Sequence, residues 1–315
     1  MNKKTIRYIL FITIILLFSF LFNACSNLKS SNDKIKIVAS LFPQYDFAKQ
    51  IAEDRAEVTL LLPPGTESHS FDPSTSDIVN TSKADIFLYT GKYMEPWAER
   101  LISGIDSKSL LIKDLSENIS LIKNEEADDH SEDEHEHDHS YDPHFWLDPT
   151  LASLMVDNIL EALCEKDPDG YAFYENNARK LKDNLKKLDE DFFEIIETSK
   201  RHTVVFAGKF AHLYFIKRYN LDYKAVLKNC SAQTEPSIQK LTEIINFVKN
   251  NDIPAVYYEE STVPPIAQSI CENTNAKALR FNTLHNVSKE QLESNVTYFD
   301  LMNENLENLK MGLTL

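Results

Sequence analysis

Residues 171–200 read Y-A-F-Y-E-N-N-A-R-K-L-K-D-N-L-K-K-L-D-E-D-F-F-E-I-I-E-T-S-K, with no glycine or proline. Within this run Leu181, Leu185, Leu188, Phe192 and Ile195 step by four, three, four and three. That spacing puts them on one stripe of an α-helix. A helix of about 28 residues is some 40 Å long at 1.5 Å per residue. Such a rod suits a strut joining two lobes, although a long helix inside a single core would carry the same stripe.

The sequence on either side of the rod favours two lobes. Short apolar runs alternate with helical patterns throughout, as α/β layers require. Before the rod, strands are predicted over Ile35–Ala39, Val58–Leu62 and Ile86–Tyr89, with Pro63-Pro64-Gly65 stopping the second. Helices are predicted over Tyr45–Glu53, Asp77–Lys83 and Leu151–Cys164. After the rod, strands are expected at Thr203–Phe206, Ala255–Tyr258 and Ala278–Phe281. Pro236 and Ser237 open a helix carrying Ile238, Leu241, Ile244, Ile245 and Val248. Ser288-Lys289-Glu290-Gln291 fits a capping box for a final helix with Tyr298, Leu301, Leu306 and Leu309 on one face. The expected fold is α/β, with an N-terminal lobe over 35–170, a linking helix over 171–200 and a C-terminal lobe over 201–315.

The first 24 residues read as a signal peptide. Lys3, Lys4 and Arg7 precede an apolar run from Ile9 to Phe22, too short for a comfortable membrane span. Leu21-Phe22-Asn23-Ala24-Cys25 resembles the lipobox of bacterial lipoproteins, with Phe22 where leucine is usual. Cys25 is then the expected lipidation site, residues 25–34 a tether, and the working domain extracytoplasmic and anchored to the cell membrane. An uncleaved signal anchor would give the same location.

The formal net charge of −16 becomes −19 when residues 1–24 and their three positive charges are removed. Such an acidic domain does not seek nucleic acid. Its acidity is concentrated in N-E-E-A-D-D-H-S-E-D-E-H-E-H-D-H-S, residues 124–140, which hold His130, His135, His137 and His139, four of the nine histidines. A run this polar cannot bury itself and is expected to be a solvated loop. Imidazoles at short spacing among carboxylates suit a borderline divalent ion such as zinc. The alternative is a loop that only confers solubility. With Cys25 spent on lipid, Cys164, Cys230 and Cys271 are an odd count and no disulfide framework, although one bridge among them is possible, and they are too scattered for a thiolate metal site. No G-x-G-x-x-G, P-loop, G-x-S-x-G or H-E-x-x-H occurs, so the enzyme templates are empty.

Candidate ligands lie just past predicted strand ends, where open α/β sheets bind. His69 follows Leu62; Lys209 and His212 follow Phe206; Glu259 follows Tyr258; Asn282 and His285 follow Phe281. His144 sits in Asp142-Pro143-His144-Phe145-Trp146-Leu147-Asp148-Pro149, where two prolines and two aromatic residues can fix the backbone. Asp72 and Asp148, each before a proline, read as turn or helix caps. Trp97 reads as packing at a core or lobe edge.

Three motifs carry a family resemblance: P-P-G-T-E-S-H-S-F-D-P-S (63–74), A-D-I-F-L-Y-T-G with E-P-W (84–97), and P-H-F-W-L-D-P (143–149). They resemble the zinc-binding lipoproteins of metal-uptake ABC transporters, from about Ile35 to the C-terminus, with the histidine-rich loop in the expected place. The resemblance implies two pseudo-symmetric α/β lobes on one rigid helix. It also implies a monomer that holds a metal ion between the lobes, delivers it to a permease and its ATPase, and catalyses nothing. His69 and His144 carry over as ligands. The C-terminal lobe departs from the pattern, because Lys209 stands where a histidine is usual and a protonated lysine cannot ligate. His212 is three residues on. Where many relatives have aspartate, this chain has Asn282-Thr283-Leu284-His285, and His285 is the preferred third ligand. Glu259 or Glu260 is the candidate carboxylate, with Glu259 alternatively steadying a histidine from outside the ligand shell. A histidine-rich set favours Zn2+ over manganese or iron.

Two other functional classes share parts of this pattern. Three histidines and a water also suit an extracytoplasmic zinc hydrolase, which would need a general base and a substrate pocket. An adhesin using the acidic face would not depend on His69, His144 or the loop.

Overall fold

The apolar run Ile35–Ala39 forms strand β1, which pairs in parallel with β2 (Ala56–Leu60) on one side and β3 (Ile86–Tyr89) on the other. Strand β4 (Leu111–Asp114) adds to β3, giving a parallel sheet of order β2-β1-β3-β4. A two-residue hairpin, β5 (Ile122–Lys123) with β6 (Tyr141–Asp142), follows. Beyond the long helix, β7 (Thr203–Phe206), β8 (Asp222–Ala225), β9 (Ala255–Tyr258) and β10 (Lys277–Arg280) make a second parallel sheet of order β10-β9-β7-β8. Read from the other edge, this repeats the first sheet: second strand, first, third, fourth. The two halves are pseudo-symmetric α/β lobes, as expected. This computed structural model describes residues 34–124, 140–227, 236–259 and 262–314, and the chain from Ile35 onward forms one unit. Cys25, the loop histidines 130, 135, 137 and 139, Cys230 and Glu260 lie outside the described residues. Among the described residues no helix is long and apolar enough to cross a membrane, and Cys164 and Cys271 are free thiols.

The long helix spans Tyr171–Thr198 and buries Leu181, Leu185, Leu188 and Phe192. Its stripe closes on Ile196 rather than Ile195, since a step of four from Phe192 stays nearer the inner face. Each such side chain contributes about 1.5–3 kcal/mol on full burial. Both ends are fastened. Near the start, Tyr174 donates its hydroxyl to Asp167 at 2.7 Å, and Arg55 reaches the same carboxylate. Asn177 donates to the carbonyl of Ile51 at 3.1 Å. Toward the end, Arg218 grips Asp189 with two nitrogens (2.9 and 2.6 Å) while the Tyr219 hydroxyl donates to the same group at 3.0 Å. Phe192 packs edge-on against Phe215. One rod is therefore fastened to both lobes, and its apolar stripe belongs to a core that they share.

Several boundaries differ from expectation for identifiable reasons. The first helix begins at Phe42, not Tyr45, because Pro43 lies in the first turn, where its missing N–H costs nothing. The helix after His144 begins at Pro149 for the same reason, and Asp148 caps it by accepting from Thr150 N at 2.8 Å. Asp72 is no cap: it meets Arg100 at the surface, and Ser74 caps the helix Thr75–Ser82. The capping box at Ser288 and Gln291 is present but closes a separate five-residue helix, Lys289–Glu293. The chain then turns through Asn295 at φ 56° before the last helix, Tyr298–Thr314. That helix starts on new partners, with Asp300 accepting from Thr297 N and Asp46 accepting from Tyr298 N at 2.9 Å.

Candidate metal centre

The carboxyl ends of both sheets face one another, and four histidines gather there. His69 lies on the turn after β2, which Gly65 enters at φ +77°, a conformation suited to glycine. Glu67 closes the turn by accepting from His69 N (3.2 Å) and from the amide and hydroxyl of Ser70 (2.9 and 2.8 Å). Burial raises the Glu67 pKa, but Ser70, the nearby His69 and the two amides outweigh it and hold the carboxyl below its usual value. Trp97, fully enclosed as expected, donates its indole N–H to the carbonyl of Ser68 at 2.9 Å and sets the turn from beneath.

His144 is buried just past the hairpin. Asp142 Oδ1 accepts from both the backbone N–H of His144 (2.8 Å) and its ring Nδ1–H (2.9 Å). That assignment places the ring proton on Nδ1 and leaves the Nε2 lone pair for a ligand. The His69 and His144 ring centroids are 5.7 Å apart, and those of His144 and His285 are 6.3 Å apart. Two imidazoles on one tetrahedral zinc, with bonds of about 2.0–2.1 Å, hold their centroids roughly 5 Å apart. The observed spacings lie just outside that figure. Among the described residues no three His, Cys, Asp or Glu side chains are already drawn tightly enough to enclose an ion. Ligation thus calls for a small inward movement of the rings.

His285 comes from the loop after β10. Removal from water, with the like character of His144 and His69 and the charge of Lys209, pushes its pKa well below the ordinary value. His212 precedes the helix Leu213–Arg218 and is buried, stacked on Phe206 at 5.0 Å with the edge of Phe281 at 4.9 Å. Its Nε2 lies 3.4 Å from the carbonyl of Asn282, and its Nδ1 is buried without a hydrogen-bond partner. Burial lowers its pKa to about 3, with smaller contributions from His144 and His285. Both rings are therefore neutral at pH 7 and offer lone pairs rather than protons.

The other candidates divide. Asn282 turns its amide away, onto Glu304 (3.0 Å) and Asn305 (3.1 Å) of the last helix. Lys209 is half-buried near His285. Glu259 is half-buried one residue past β9. Asn124 N donates to Ser140 O at 3.0 Å, so the described residues flanking 125–139 are paired at the hairpin that leads into His144. Sequence reasoning missed the parts played by Asp142 and Glu67, although Asp-x-His and Glu-x-His spacings were visible.

The family described as ZnuA, zinc-uptake complex component A, periplasmic, matches residues 37–312. The zinc-binding lipoprotein AdcA of Streptococcus pneumoniae is 33% identical over 289 residues, covering 91% of this chain and 57% of AdcA. This chain therefore spans a little over half the length of that relative. The high-affinity zinc uptake system protein ZnuA of Bacillus subtilis is 31% identical over 286 residues, 90% of this chain and 89% of ZnuA. In three dimensions the chain is similar to the Zn(II)-bound ZnuA-like domain of the pneumococcal AdcA, with a TM-score of 0.76 and 28% identity over 90% of this chain and 100% of that domain. From β1 to the last helix, this chain belongs to the ZnuA family of zinc-uptake component A proteins.

Proposed function

We propose that this protein captures Zn2+ outside the cytoplasmic membrane and hands it to an ABC permease driven by its ATPase, performing no chemistry on the ion. The observation that carries this reading is the facing set of His69, His144, His212 and His285, with the ring proton of His144 on Nδ1, donated to Asp142. Neutral imidazoles are the donors a borderline ion prefers, and harder manganese would call for more carboxylate. In this reading His69, His144 and His285 are ligands and His212 completes a four-nitrogen set, with Glu259 as the alternative fourth donor. Asp142 and Glu67 lie close by, so carboxylates outside the ligand shell offset the charge of the ion.

The same proposal includes the N-terminal segment and the histidine-rich loop. Residues 1–24 are a cleaved signal, Cys25 carries the lipid, residues 25–34 are the tether, and the protein works as an anchored monomer. His130, His135, His137 and His139 act as a weaker collector whose base opens beside His144.

Zinc titration of the chain from Ser26 onward, with and without residues 124–140 and with excess manganese, tests the reading. One tight zinc site that survives loop deletion and resists manganese supports it. An unchanged titration in His144→Ala, or loss of all tight binding with the loop, would sink the cleft assignment.

A further inference from the structure

The loop carrying His285 leaves the second sheet but is fastened to the first lobe. Asn286 Nδ2 donates to the carbonyls of Thr66 (2.6 Å) and Pro63 (3.1 Å), while its Oδ1 accepts from Val287 N at 2.7 Å. Gly65 N donates to Val287 O at 3.0 Å, Phe42 N to His285 O at 3.4 Å, and Trp146 Nε1 to Thr283 O at 2.8 Å. Pro63, Gly65 and Thr66 form the turn that leads to His69. One carboxamide thus joins the loops that carry His69 and His285. Directly before His285, Leu284 is buried at φ 61°, a left-handed conformation that an unrestrained leucine avoids. The loop keeps it only because its surroundings hold it there.

We infer that Asn286 is a positioning residue that clasps the His285 loop to the His69 turn, so that a bound ion leaves only when the clasp opens. The inference rests on the zinc reading of the cleft. His285 belongs to the second lobe by sequence but moves with His69 and His144. Parting the lobes therefore separates His285 from His69 only if the clasp also breaks.

The test is zinc release from the loaded full chain into excess chelator, followed by stopped flow. Asn286→Ala should release zinc roughly tenfold faster or more, the effect of losing two amide hydrogen bonds. Its association rate, and the unfolding of the zinc-free protein, should change little, because Gly65, Phe42 and Trp146 still hold the loop. In a His285→Ala background the same substitution should change release by less than about twofold, since the clasp acts through His285. Asn286→Ser carries the same expectation if the alanine variant does not fold. Unchanged release, or equal acceleration with and without His285, overturns the inference. A wild-type chain that takes up no zinc overturns the zinc reading instead, and its own titration tells the two failures apart.

Discussion

A single oxygen, Oδ1 of Asp142, accepts both the backbone N–H and the ring Nδ1–H of His144, at 2.8 and 2.9 Å. The position of the loop and the tautomer of its histidine are thus decided by one atom. Asp142 is itself held from the other lobe: the Tyr214 hydroxyl donates to its carbonyl at 2.9 Å and accepts from Ile122 N at 2.9 Å. The base of the hairpin, the histidine and the second lobe are therefore one hydrogen-bonded assembly.

Asp142→Asn should weaken zinc binding by about 10- to 100-fold, the usual effect of disturbing a carboxylate behind a ligating histidine. The amide is isosteric, so folding should be retained. Competition against a chelator of known affinity reads the change, and an affinity within twofold of wild type would show that the ring needs no such partner.

His212→Phe separates ligation from packing. The ring already stacks on Phe206 and meets Phe281 and Phe210, so phenylalanine suits the pocket. The variant should fold as well as wild type yet bind zinc at least about tenfold more weakly, as expected for losing one interaction worth 1.4 kcal/mol or more. Equal affinity would reduce His212 to an aromatic filler and move the fourth position to Glu259.

Lys209 places a cation beside His285, where charge opposes a metal ion. Lys209→Met keeps the length and removes the charge. At the effective dielectric of a half-exposed site, zinc affinity should rise by about threefold to tenfold at low salt, with the gain shrinking as salt screens the wild type. Titrations at two ionic strengths check this, and a fall in affinity would give Lys209 a supporting part instead.

What the sequence disclosed follows burial. The four inner strands, Ile35–Ala39, Ile86–Tyr89, Thr203–Phe206 and Ala255–Tyr258, have the predicted bounds, because strands covered on both faces read as continuous apolar runs. The edge strands were harder. Ala56–Leu60 and Lys277–Arg280 are shifted by one or two residues, and Leu111–Asp114 and Asp222–Ala225 were not foreseen. Leu-Ile-Lys-Asp and Asp-Tyr-Lys-Ala have one poorly covered side and no clean alternation, so nothing in them separates strand from loop. The site shows the same divide. His69 and His144 stood out through the prolines and aromatics around them. Asn286 lay unremarked in Leu-His-Asn-Val, because its partners Pro63 and Thr66 are more than two hundred positions away.

Glu95 gives the fold a pH dependence of its own. It is wholly buried, accepting from Thr90 N at 2.8 Å and from Ser40 and Gln44. Burial raises its pKa from 4.5 to about 7, although those hydrogen bonds pull the other way. The folded state therefore holds this proton more tightly than the unfolded chain does. Its contribution to stability is complete below about pH 4.5 and is lost as pH rises to about 7. A difference of that size corresponds to on the order of 3 kcal/mol. Asp46, raised from 3.8 to about 6 chiefly by burial, adds a smaller loss in the same direction. Glu95→Gln, neutral at every pH, should flatten most of the decline in zinc-free stability between pH 5 and 7.5 and leave the part due to Asp46. Urea unfolding across that range reads the slope directly. A variant whose slope matches wild type would mean that Glu95 stays ionised in the core, its charge balanced by the Ser40, Gln44 and Thr90 donors alone.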